Sequence, residues 1–151
     1  MVPVSRTCRP ARLRPSRGSM DNPSVSIDHH IYIYEAGKFP AIAVANFLFV
    51  GLSEGENAVV VAASHHALSI ETELSKLERR AHRPYSRTAM IFVDVTSPAR
   101  ALLAGNSVES VVGRIIAPAV KQARAGSVNG RVRIYGELAE AMLRLHNPEV
   151  A

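Results

Sequence analysis

Tryptophan is absent from this 151-residue chain and aromatic residues amount to 5% of it, so its core must be aliphatic, built from Val, Ile, Leu and Ala. Cysteine occurs once, as Cys8, which excludes an internal disulfide and fits a reducing compartment. Long apolar runs are missing too. The longest, Ala41 to Val50, falls short of the ~20 residues that a membrane-spanning helix needs. The arginine-rich N-terminus has no apolar segment behind it, so no secretory signal is predicted, and Pro3, Pro10 and Pro15 oppose the amphipathic helix of a transit peptide. Together these absences predict a cytoplasmic protein without membrane association.

Negative charge is lacking at the N-terminus. The net charge of +5 suggests a nucleic-acid binder, because basic domains concentrate on phosphate backbones. Residues 1–20, however, hold five arginines (Arg6, Arg9, Arg12, Arg14, Arg17) and no acid, and the remainder balances 13 basic against 13 acidic residues. The body is therefore neutral, and the basicity belongs to a tail. Residues 1–24 are rich in Pro, Arg and Ser, show no hydrophobic period and are predicted to be a disordered basic tail. Met20 is an alternative start ahead of the first patterned segment. Residues 25–151 fit a single domain.

Beyond the tail the pattern runs four times from strand to helix. Ile31 to Tyr34 is a short β-forming run. Pro40 suits a first helical turn, and residues 40–50 predict an almost wholly apolar, deeply buried helix. Gly51 and Gly55 predict the turn before a second strand, Ala58 to Ala62. Ser64 is placed to cap a helix whose stripe is Ile70, Leu74, Leu77 and Ala81, ended near Pro84. Met90 to Val95 is a third strand. Asn106 with Glu109 resembles a capping box, opening a helix with one apolar face from Val108 to Ala123 that Pro118 should kink or split and Gly126 should close. Val132 to Tyr135 is a fourth strand, and Leu138, Met142 and Leu145 line a last helix. Strands apolar on both faces and alternating with helices predict an α/β fold: three layers, a parallel sheet of about four strands, helices on both faces.

Ligands of such sheets bind beyond the carboxyl ends of the strands. That rule collects Tyr34, Glu35, Lys38, His65, His66, Asp94, Gly136 and Glu137 as candidate ligand-binding residues. No catalytic constellation is legible. The phosphate-binding pattern G-x-x-x-x-G-K-[ST] is missing: after the first strand stand Glu35-Ala36-Gly37-Lys38-Phe39, and although Lys38 can meet an anion, Phe39 cannot hold Mg²⁺. Six histidines include the pairs His29-His30 and His65-His66. One pair enters the first strand and the other leaves the second, which puts them at opposite sheet edges, so no metal site is predicted. Asp94 and Glu137 are carboxylates at strand ends, with helix-capping roles as their simplest reading.

In order and spacing, three stretches resemble the MEDS family, the methanogen and methylotroph sensory domain, a degenerate relative of RecA-like ATPases. They are His30-Ile31-Tyr32-Ile33-Tyr34-Glu35; Asn46-Phe47-Leu48-Phe49-Val50-Gly51-Leu52 followed by Gly55-Glu56-Asn57-Ala58-Val59-Val60-Val61; and Arg131-Val132-Arg133-Ile134-Tyr135-Gly136-Glu137-Leu138. The resemblance spans roughly residues 29–146. It implies a truncated RecA-like fold, a first loop that has lost phosphate chemistry, and Gly136 and Glu137 at the position of the ATPases' second nucleotide motif. It also implies a non-catalytic sensory or adaptor domain in signal transduction and transcription regulation, without a cofactor, that binds a small organic ligand. No output module is visible, so the expected partner is a separate histidine kinase, transcription regulator or sigma-factor control module, or a second copy of the chain. Two alternatives stand beside it: a nucleotide-binding RecA-like protein with weak or no hydrolysis, and a nucleic-acid binder acting through the arginine tail.

Overall fold

The computed structural model describes Tyr34 and residues 38–146. The basic tail 1–24, His29 and His30, most of the expected first strand and Glu35 lie outside the described residues. Tyr34, that strand's expected last residue, belongs to no strand or helix. From there the order is helix α1 (Ala41–Ser53), strand β1 (Asn57–Ala62), helix α2 (Ser64–Ala81), strand β2 (Met90–Asp94), helices α3 (Thr96–Leu103), α4 (Val108–Val111) and α5 (Ala117–Gly126), strand β3 (Val132–Gly136) and helix α6 (Leu138–His146). Among the described residues the sheet has three strands in the order β2-β1-β3, all parallel.

The architecture is α/β with a helical layer on each face. All six residues of β1 are buried. Ala58, Val60 and Ala62 pack with Val44, Ala45, Leu48 and Leu52 of α1 and Ile70 and Leu74 of α2. Val59 and Val61 pack with Ala119 and Ala123 of α5, with Leu138 and Ala141 of α6 against them. The chain leaves β1 through α2 for one side of the sheet and returns from β2 through α3 to α5 to the other. That reversal sends α2 and α5 to opposite faces, as two crossovers of the same hand require. No helix among the described residues is long and apolar enough to cross a membrane.

Several local expectations are corrected. Helix α1 is almost wholly apolar but not deeply buried all round: Ile42 is 65% exposed and Val50 48%. It lies on one face of a narrow sheet, so only one stripe meets the core. Ala81 is exposed, outside the buried part of the α2 stripe. Ser64 is the first residue of α2 rather than its cap; Ala63 occupies the cap position. The cap before α4 is Ser107, whose hydroxyl accepts from Ser110 N at 3.2 Å, while Asn106 donates back to Ala101 O at 2.8 Å. Helix α3, which no periodicity in the sequence predicts, buries little beyond Pro98 and Ala99. The face from Val108 to Ala123 is not continuous. Residues Val112–Ile116 form a π turn just ahead of Pro118, and Val108 and Val112 point to solvent while Val111, Ala119 and Ala123 are buried.

Gly51 lies inside α1 rather than in the turn; Gly55, at φ +82°, makes the turn. The reason is a buried ion pair at the amino edge of the sheet. Glu56 is 2% exposed, and Arg133 of β3 donates to its Oε2 at 2.6 Å and to Phe47 O at 2.9 Å. Arg131 lies 3.2 Å from the other carboxylate oxygen, without the alignment of a hydrogen bond. A Cβ on Gly51 would overlap Arg133 Nε and Glu56 Oε2. Replacing glycine by alanine in an exposed helix interior stabilises by about 0.5–1 kcal/mol. Gly51→Ala is expected to do the opposite and destabilise by about 1–3 kcal/mol through overpacking. A lower urea midpoint at unchanged slope is the expected result; a midpoint at or above wild type would show that the pair tolerates a methyl group.

Candidate functional site

The ladder of β1 continues beyond its last residue. Val95 N donates to Ala62 O at 3.1 Å and Glu137 N to Val61 O at 3.1 Å. These two bonds draw the ends of both edge strands to the carboxyl end of β1, where α2 begins. A cleft of about 160 Å³ opens there, and Ala63, His65, His66, Val95, Thr96, Glu137, Glu140, Ala141, Arg144 and Leu145 line it.

Glu137 is the hub. It is 7% exposed, and its carboxylate reaches three residues, on α2 and its cap and on β3. Oε1 accepts from the backbone N–H of Ala63, at the cap of α2. Oε2 lies 2.7 Å from His66 Nδ1 and 3.4 Å from the Tyr135 hydroxyl, which donates to it. With a carboxylate as acceptor, Nδ1 is the donor of this hydrogen bond. His66 is itself buried, and Phe39 stacks on it with ring centroids 3.8 Å apart and planes 10° from parallel. The imidazole is thus held by stacking and the carboxylate by its hydrogen bonds.

Glu140 sits on the same face one turn further along α6. Its Oε1 accepts from Arg144 at 2.5 Å, an i,i+4 pair, and its Oε2 accepts from the Tyr34 hydroxyl. Tyr34 also meets the edge of Phe39, with centroids 6.2 Å apart. Burial pushes the Tyr34 phenol above its ordinary range, reinforced by the hydrogen bond and charge of Glu140. Tyr135 is raised as well, by burial first and then by the charge of Glu137. Both phenols therefore stay protonated and act as donors to the carboxylates. His66, Glu137 and Glu140 each place a potential ligand atom within 4.8 Å of the others.

Compared with known proteins, the chain matches no family model, no curated protein and no solved structure.

Of the residues expected from the sequence, Tyr34, His65, His66 and Glu137 gather around this cleft. Lys38 is exposed ahead of α1 and does not line it. Gly136 ends β3, where a Cβ would make only an ordinary contact with Val61, so no close approach demands glycine. Asp94 is exposed and serves the start of α3: its Oδ1 accepts from Thr96 N at 2.7 Å, and Ser64 Oγ donates to its Oδ2 at 3.4 Å. The bonds with Thr96 hold its carboxyl below the usual range. Glu140, Thr96 and Arg144 stand in no motif of the sequence, and Phe39 figures there only as a residue that cannot hold Mg²⁺. Glu137, Glu140 and Arg144 share one helical face by spacing alone, which was the available signal.

The raised phenols give a test. A group whose folded pKa is raised contributes stability that is present below its unfolded value, here 10.0 for Tyr34, Tyr85 and Tyr135, and lost as pH rises through the folded value. The phenolate absorbance of these three residues is therefore expected to lag in the native protein and to appear together with loss of the helical circular dichroism. In denaturant every tyrosine should titrate near its ordinary value. Superimposed native and denatured curves would show that the phenols are not enclosed.

Proposed function

We propose that the chain is a non-catalytic sensory or adaptor domain, on a degenerate RecA-like scaffold of MEDS type, that takes a small organic ligand in the carboxyl-edge cleft and passes the signal to a separate regulatory protein. The observation that carries this reading is the convergence of His66, Glu137, Glu140, Arg144 and Thr96 on a small cavity at the strand ends, where parallel α/β sheets bind ligands. At about 160 Å³ the cleft is smaller than the roughly 300–1,000 Å³ of drug-sized sites. It suits a compact polar molecule with a short apolar part against Val95, Ala141 and Leu145. No serine or cysteine nucleophile lines it.

The relay follows from which elements meet at the cleft. Glu137 and Glu140 belong to the start of α6, and His66 to the start of α2. A ligand held between them shifts α6 relative to α2. Helix α6 packs on α3 and presents Leu143 and Leu145 to solvent, a surface that a histidine kinase, transcription regulator or sigma-factor control module can read. Exposed residues of the cleft are the right ones to change, because they can be removed without opening the core. In a thermal-shift panel of small organic amines, acids and alcohols, a binder at about 100 times its Kd is expected to stabilise the native state by about 2.7 kcal/mol. Arg144→Ala should abolish the shift. A panel without any Arg144-dependent shift would overturn the reading.

A further inference from the structure

We propose that His66, Glu137 and Glu140 bind a divalent transition-metal cation such as Zn²⁺ in this cleft, so that the small ligand is received on the metal. The inference takes the same cavity as the ligand site and rests on that reading. One donor atom from each of the three side chains lies within 4.8 Å of the others. Bonds of about 2.0–2.2 Å put the donors of a tetrahedral site roughly 3–3.5 Å apart, so small rotamer changes close the set. One imidazole and two carboxylates form a mixed nitrogen and oxygen site suited to zinc and its neighbours. Three protein ligands leave a position open to a fourth group, and the cavity supplies the room for it.

The surroundings are those of a supported metal site. Metal-binding carboxylates are held by outer hydrogen bonds that fix their orientation. Here Ala63 N–H and the Tyr135 hydroxyl hold Glu137, and the Tyr34 hydroxyl holds Glu140. All three ligands stand at the start of regular helices or directly before one, and stacking on Phe39 restrains the imidazole. Two contacts hold the set without a cation: the hydrogen bond between His66 Nδ1 and Glu137 Oε2, and Arg144 on Glu140. A cation replaces both. The ring proton exchanges through solvent to the nitrogen that does not coordinate, so the imidazole binds as the neutral ring, and Arg144, about one third exposed, swings outward, where it can pair with an anionic group on the arriving ligand.

The test uses the full untagged chain, stripped with chelator and titrated with Zn²⁺ in competition with a chromophoric chelator. Stoichiometric binding is expected. His66→Ala and Glu140→Gln should each weaken it at least about tenfold, whereas His82→Ala, at the far end of α2, should leave it unchanged. Glu137 is kept, because its loss also frees the Ala63 N–H. Co²⁺ in place of Zn²⁺ provides a readout on the wild-type chain alone: ligand-field absorption of a nitrogen and oxygen site. Absence of stoichiometric binding, or equal binding by wild type and both variants, overturns the cation site. If Zn²⁺ fails while an organic compound still gives an Arg144-dependent thermal shift, the metal falls and the ligand cleft stands. If both fail, both fall.

Discussion

Strand β1 has no exposed residue, and parallel partners occupy both of its ladder edges. A strand so enclosed must be apolar on both faces and must satisfy its backbone entirely within the sheet. Ala58 to Ala62 meets the first demand, with alternate residues serving the α1 and α2 layer and the α5 layer. The second extends past the strand, since Ala62 O and Val61 O accept from Val95 and Glu137. The same bonds that finish the ladder therefore bring Thr96, Glu137 and the start of α2 to one place. The cleft is a by-product of closing the central strand, which is why it lies on rigid elements rather than on a loop.

Two buried carboxylates, Glu56 and Glu137, mark the two ends of this strand, and their partners differ in kind. At the amino edge Glu56 meets Arg133, whose planar fork is also fixed by Phe47 O and lies 5.0 Å from the Phe47 ring centroid. A guanidinium stays charged and cannot accept a hydrogen bond, so that end is a fixed cross-link between α1, β1 and β3. At the carboxyl edge Glu137 meets an imidazole and a backbone amide. An imidazole can hold a proton, give it up or take a metal. Of these two buried carboxylates, the one whose partner can respond to its surroundings is thus the one beside the cleft.

The three described strands were legible because continuous apolar runs between turn residues leave few other options in a short chain. The face each side chain takes was not. Helix α1 has Asn46 as the one polar residue on its exposed stripe between Ile42 and Val50, so its pattern offers little phase, and packing selects Val44, Ala45, Leu48 and Leu52. Local chemistry misled at the caps. Ser64 and Asn106 are good capping residues, yet the carboxylate of Glu137, 74 positions away, serves the start of α2. Nor was Glu140 legible as part of a site, since Tyr34 stands 106 positions before it in sequence. Glu137 and His66 could be chosen because the parallel-sheet rule depends on topology, and topology survives errors of phase.

The π turn shows how one residue redirects a whole face. Pro118 has no N–H, so a continuing α-helix would leave an unpaired carbonyl four residues back and a clash with the ring. Widening Val112–Ile116 by one residue per turn relieves this. An added residue shifts the helical phase by about 100°, so Val108 and Val112 cannot share a side with Ala119 and Ala123, although the sequence spacing would align them. Ala119 and Ala123 keep their place on β1, and Val108 and Val112 are turned toward solvent. The stripe that reads as one long face in sequence becomes a short buried face and a short exposed one. Small side chains on the buried part let α5 approach the sheet closely.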